Sequence, residues 1–167
     1  MQIRPLKGKK ALSLTELVIS VAISAVITSV VLLSFSLLDR RNLETAARNL
    51  VSDLSWARDT AISLNQHEYI VTFDTAAESY SIYEDKDDDE IPDANELVSQ
   101  VKMRVDLVSL TNTGGTAIAP ARIIFTLPFG QIKDASGTTQ DMIVNLSRAG
   151  RTKQVKIFSA TAYFRLL

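Results

Sequence analysis

Leu12 to Leu38 is a run of 27 residues in which only serines, threonines and one charged residue, Glu16, interrupt apolar side chains. At about 1.5 Å per residue a helix of that length spans roughly 40 Å, enough to cross a bilayer with some tilt. A small domain does not cover so long an apolar stretch, so a buried core helix is disfavoured. A secretory signal peptide fits the basic start, and Ser20-Val21-Ala22 offers a small-residue cleavage site, yet the apolar run continues for sixteen residues past Ala22. A plain single-pass anchor fits the length and leaves Glu16 without a reason.

No Pro or Gly occurs between Lys9 and Ile91, so a helix begun at Leu12 has no breaker. Beyond Arg40-Arg41, apolar residues recur at steps of three and four: Leu43, Ala47, Leu50, Leu54, Ala57 and Ala61. Glu44, Arg48, Asp53 and Arg58 take the other side. One continuous helix from about Leu12 to about Leu64 is predicted, apolar all round in its first half and amphipathic in its second. Trp56 and Arg58 read as helix–sheet packing and a solvated charge.

The remainder reads as antiparallel β-structure. Tyr69, Val71 and Phe73 alternate, and a turn near Ala76–Glu78 leads to Tyr80 and Ile82. Met103, Val105 and Leu107 alternate again, Thr111–Ala121 is loop-like, and strands are predicted at Arg122–Thr126, Asp141–Leu146, Thr152–Phe158 and Thr161–Leu166. The expected fold is α+β, a long N-terminal helix packed on small antiparallel sheets. Its three parts are a basic leader (1–11), an apolar helix (12–38) and a globular domain (39–167).

Absence of cysteine excludes thiol catalysis, Cys-ligated zinc and disulfides. The single histidine, His67, excludes two-His metal sites, and no nucleophile–base pair or Gly-rich phosphate loop occurs, so an enzyme is not expected. Losing Arg4, Lys7, Lys9 and Lys10 with residues 1–11 takes the net charge from −1 to −5. That balance does not favour bulk nucleic-acid binding.

A carboxylate in bilayer costs about 2.5 kcal/mol or more at depth, and less near the interface, so Glu16 needs a partner. A cut between Ala11 and Leu12 would make one, a new α-amine four residues before Glu16. The pair can form within one helix or between neighbours, and the second arrangement also sets an axial register. The stretch KGKKA-LSLTELVISVAI resembles the processing signal of type IV prepilins and type II secretion pseudopilins. The resemblance implies that Ala11 precedes the cut, Leu12 becomes an N-methylated terminus and Glu16 is the assembly glutamate. Ala11 stands where Gly is usual, Leu12 where Phe is usual, and Thr15 in an aliphatic place. Further along, LVSDLSWARDTAISLNQHEYIVTFD and IIFTLPFG are similar to the helix-to-strand segment and a later strand end of the GspH/FimT group of minor pilins and pseudopilins. Implied partners are a prepilin peptidase, other pilin-like subunits and the membrane through residues 12–38. The implied location is the bacterial inner membrane, leader cytoplasmic and globular domain periplasmic, and then the pilus or pseudopilus. The four leader cations outnumber Arg40 and Arg41 opposite, in the sense of the positive-inside bias.

Two polar motifs remain. In DKDDDEIPDANE, Asp85, Asp87, Asp89, Asp93 and Glu96 fall at steps 1, 3, 5, 9 and 12, a spacing at which alternating carboxylates supply oxygens to calcium. Glu90 occupies the usual glycine place, and the competing reading is a solvated acidic loop that discourages edge pairing. No cofactor is required, and Ca²⁺ is the one candidate. Ser147–Lys153 forms a basic turn, and Gly150-Arg151-Thr152-Lys153 is similar to a DNA-binding Gly-Arg-x-Arg motif of some FimT-type pilins. Arg148, Arg151 and Lys153 would hold phosphates weakly, and a plain polar turn with Gly150 at positive φ is the favoured reading.

Overall fold

A computed structural model describes residues 13–167, except for the side chains of residues 32–36. One helix, α1, runs Leu14–Leu64. The chain falls into two compact units with the boundary between Leu38 and Asp39.

In the first unit, Leu14–Val31 has a mean hydropathy of 2.1 and no buried residue. Its hydroxyls do not interrupt the apolar surface as their number suggests. Ser20 donates to the Glu16 carbonyl (2.7 Å), Ser24 to Ser20 (2.8 Å), Thr28 to Ser24 (2.8 Å) and Ser29 to Ala25 (2.8 Å). Each polar hydrogen is thereby satisfied by the helix's own backbone, the arrangement hydrocarbon demands.

In the second unit, Asp39–Leu167, the amphipathic half of α1 buries the predicted face. Leu43, Ala47, Leu50, Leu54, Ala57 and Ala61 are all at most 3% exposed. Three alanines are interspersed with three leucines there, so the backbone can approach the strands closely while the larger side chains fill the gaps between them. The helix ends at Leu64, and Asn65 takes the left-handed conformation (φ 49) suited to a residue just past a helix end.

Nine strands follow: β1 Glu68–Asp74, β2 Ser79–Asp85, β3 Leu97–Lys102, β4 Asp106–Asn112, β5 Arg122–Thr126, β6 Gln131–Asp134, β7 Met142–Arg148, β8 Arg151–Phe158 and β9 Tyr163–Leu166. They form a five-stranded sheet ordered β3-β2-β1-β5-β6 and a four-stranded sheet ordered β4-β7-β8-β9. All pairings are antiparallel. Tyr69, Val71 and Phe73 join α1 in the core with Ile123, Phe125, Val144, Leu146, Val155 and Ile157.

Three sequence expectations change. Met103, Val105 and Leu107 do not share a strand: β3 ends at Lys102 and β4 starts at Asp106. The chain turns a corner at 103–105, and Met103 and Val105 drop into the core from that corner. Second, β3 was not expected, because an edge strand exposed along most of its length carries no clear alternation. Third, β6 was not expected, being only four residues long.

Candidate assembly elements

Glu16 lies in the first turn of α1, exposed on an otherwise apolar segment. A carboxylate suits that end of a helix, where backbone N–H groups leave partial positive charge. Ala11 and Leu12, the expected processing residues, lie outside the described residues.

The acidic loop is not a free solvated hairpin. Asp85 is fully buried and accepts from the Asp89 N–H (3.2 Å) and the Glu90 N–H (3.0 Å). Glu96 is equally enclosed and accepts from Lys86 N–H (2.8 Å) and Asp93 N–H (3.3 Å). The first and last of the predicted ligands thus shape the loop by binding its own backbone. Asp85, Asp87 and Asp89 converge, each offering an oxygen within 4.8 Å of the others', whereas Asp93 and Glu96 stand outside that group. The Asp87 carboxyl is pushed above its usual range by partial desolvation and by the charges of Asp89, Glu96 and Asp85.

Glu90 has a different task. Its carbonyl accepts from Arg122 (2.7 Å), and its carboxylate meets Lys133 at 2.8 Å, which also pairs with Glu68 at 3.1 Å. The sheet face beneath carries the directly paired Ile70 and Ile124, both without exposure and outside the main core cluster. Loop 86–96 therefore covers the outer face of the β1–β5 pair, latched by one glutamate to two cations.

The basic turn is mostly neutralised. Ala149 and Gly150 at its tip both have positive φ (50 and 76), as the tightest hairpins require. Arg148 pairs with Asp39 at 2.7 Å and donates to the Arg104 carbonyl, while Lys153 pairs with Glu44 at 3.6 Å. The hydrogen bond from Arg48 and the charges of Lys153 and Arg48 hold Glu44 below its usual range against some desolvation. Arg151 alone of the three lacks an ion pair among the described residues.

Sequence reasoning placed Arg58 in solvent, and this is corrected. Its guanidinium donates to the Ala162 carbonyl (2.7 Å), bonds Asp59 (2.6 and 2.8 Å) and lies 5.6 Å over the Phe164 ring. It pins the β8–β9 turn, where Ala162 sits at φ 45, onto α1. Trp56, half-exposed, meets Tyr69 edge-on at 6.0 Å. Beside Arg58, Gly130 at φ +63 admits α1 so closely that a Cβ would stand 2.7 Å from Ile62 Cδ1. Arg58 of the Ala57-Arg58 pair and the terminal glycine of IIFTLPFG are thus two sides of one contact.

Residues 46–161 match the family model described as type II transport protein GspH. The chain belongs to that family. Its fold is also that of two solved structures, both at 14% identity. The Pseudomonas aeruginosa type IV minor pilin FimU matches with a TM-score of 0.52, covering 75% of this chain and 92% of that one. The minor pseudopilin EpsH from the Type 2 Secretion System of Vibrio cholerae matches with a TM-score of 0.55, covering 75% of this chain and 95% of its own. No curated protein sequence matches. The GspH-family chain is a minor pilin or pseudopilin, a structural subunit rather than an enzyme.

Proposed function

We propose that this GspH-family subunit is made as a precursor, cut between Ala11 and Leu12 and N-methylated at Leu12 by a prepilin peptidase. It then assembles through residues 12–38 into a type II secretion pseudopilus or a type IV pilus. The precursor spans the inner membrane once, leader in the cytoplasm and globular domain in the periplasm. The observation that carries this reading is Glu16, a lone carboxylate on a segment with no buried residue and with every described hydroxyl from Ser20 to Ser29 turned onto the backbone. A charge left on a surface built for hydrocarbon needs a cation of matching depth, and a neighbour's new α-amine is one. N-terminal mass spectrometry of the membrane-extracted protein tests the cut, with Leu12 the expected first residue. Glu16→Ala is expected to leave processing intact and to remove the subunit from sheared filaments; retention at wild-type level would overturn the assembly role.

DNA uptake through residues 147–153 has less support, because Asp39 and Glu44 neutralise two of the three cations on which it depends.

A further inference from the structure

The unit Asp39–Leu167 holds 14 Lys and Arg against 18 Asp and Glu, yet its unpaired cations gather in one place. Among the described residues, seven of the 14 make an ion pair. Of the other seven, five lie on or beside the stretch Asp39–Asn49 of α1. Arg40 and Arg41 are exposed on the helix itself. Lys102 and Arg104, also exposed, line a groove of about 250 Å³ with Asn42, Thr45 and Asn49. Arg151 stands opposite Arg148 at the tip of the β7–β8 hairpin, and Arg148 is tied to this place by Asp39 (2.7 Å) and the Arg104 carbonyl.

Three acids are near. Asp39 and Glu44 are already paired, with Arg148 and with Arg48 and Lys153, and the exposed Asp106 opens β4. The place is therefore positive on a unit whose net charge is −4. The uncharged polar groups of the groove are open too. Elsewhere on α1, Ser55 and Thr60 turn back onto helix carbonyls at 2.7 Å. The side chains of Asn42, Thr45 and Asn49 make no hydrogen bond among the described residues.

Leu38, the last residue of the apolar run, is two positions before Arg40. A chain that spans a bilayer through residues 12–38 brings these cations in where hydrocarbon gives way to headgroups. A phospholipid there offers a phosphate to the cations, and phosphate and ester oxygens to the amides. Each cation held near an anionic lipid surface adds on the order of fivefold to the attraction. Duplex DNA also carries phosphates, but to reach these cations it would have to lie along the bilayer itself. We propose that this basic face of the globular unit seats on the headgroups of anionic phospholipids in the membrane the subunit occupies before assembly, the Lys102–Arg104 groove taking a phosphate. This rests on the reading that residues 12–38 span the membrane.

The chain has no cysteine, so one introduced thiol carries one probe. Full-length Thr45→Cys, labelled with a fluorophore, is placed in nanodiscs of phosphatidylcholine alone or mixed with phosphatidylglycerol. Acrylamide, a neutral quencher indifferent to surface potential, reads the exposure of the groove. Quenching is expected to be weaker in the mixed discs at low salt, and the difference to shrink at high salt. Lys102→Glu together with Arg104→Glu is expected to remove it. The same probe on Lys86→Cys, in the acidic loop, is expected to be quenched equally in both discs. Unchanged Trp56 fluorescence verifies the fold of each variant. Equal quenching of the Thr45→Cys probe in both discs, or a difference that survives the double reversal, would overturn the proposal. Equal quenching that added duplex DNA then lowers would assign the cations to nucleic acid instead. A chain that stays in both discs without lipid dependence loses this contact alone, whereas a chain that leaves the discs once detergent is removed defeats the spanning reading as well.

Discussion

Gly130→Ala probes the contact that fixes the β5–β6 turn against α1. Two costs add. At φ +63, an alanine is held in the left-handed region, where Cβ crowds the following carbonyl at about 1–2 kcal/mol. The new Cβ also stands 2.7 and 2.9 Å from Ile62 Cδ1 and Cγ1 and 3.1 Å from Arg58 Cγ. Ile62 is 41% exposed and can swing outward, leaving its rotamer well at roughly 0.5–1.5 kcal/mol. Arg58 has less freedom, because its guanidinium is held by Ala162 and Asp59. The expected destabilisation is therefore about 2–3 kcal/mol. Trp56 is the sole tryptophan and lies two residues from Arg58, so its fluorescence in urea titrations of the detergent-solubilised full chain reports this unit. In an Ile62→Ala background the clash with Ile62 disappears while the backbone part and the Arg58 contact stay, so the same substitution should cost about 1–2 kcal/mol there, the difference being the coupling energy. A cost for Gly130→Ala within about 0.5 kcal/mol of zero, or one identical in both backgrounds, would refute the close-approach argument.

Other predictions use the same titration or simple variants of it. Leu54→Ala deletes a fully buried side chain from the helix face and should destabilise by about 2–5 kcal/mol, whereas Ile62→Ala, half in solvent, should cost far less. Asp134 is buried, which opposes its ionisation, but bonds from the Ser136 hydroxyl, the Thr138 N–H, Gln140 and the Ser136 N–H outweigh that and hold it below the usual carboxylate range. A depressed folded pKa contributes stability above the unfolded pKa and loses it as pH falls through the folded one, so Asp134→Asn should flatten the acid limb of a stability–pH curve. Asp87 has the opposite sign, raised in the folded state. Its contribution declines as pH rises through that value, and Asp87→Asn should raise the neutral-pH melting temperature. The calcium expectation is checked on the same pair of proteins. A melting temperature unmoved by millimolar Ca²⁺ removes it, and a rise that Asp87→Asn abolishes retains it.

The helix face was legible because burial on one side leaves a three–four spacing at Leu43, Ala47, Leu50, Leu54, Ala57 and Ala61 that no other arrangement produces. The hairpin β1–β2 was legible for the same reason at period two. Alternation misled at Met103, Val105 and Leu107 since a corner aimed at the core also buries every second residue. β3 was hidden because Leu97 and Val98 are both 44% exposed, and a strand without a buried face leaves no periodic trace. Arg58 could not be assigned from local sequence, as its acceptor is 104 positions away. Asp134 had a readable signal, the Asp-Ala-Ser-Gly turn type, in which its Oδ1 accepts from the Ser136 N–H at 2.8 Å and the Thr138 N–H at 3.0 Å.

The acidic loop shows why a spacing rule and a structure can weigh the same residues differently. Counting treats its carboxylates as equivalent ligands. Folding divides them by direction: Asp85 and Glu96 turn inward and replace missing backbone partners, and Glu90 reaches across to Arg122 and Lys133. Asp87, Asp88 and Asp89 remain exposed, Asp89 while accepting from the Ile91 N–H. The inward acids make the outward ones effective, for a loop that caps its own amides and is latched over Ile70 and Ile124 presents its remaining charge at a fixed place. Breaking the latch with Lys133→Ala should therefore loosen the charged tip while leaving its composition unchanged. Amide hydrogen exchange over residues 86–90 should then be faster in that variant than in the wild-type chain. Exchange untouched by Lys133→Ala would mean that Asp85 and Glu96, through the loop's own amides, hold its shape without the latch.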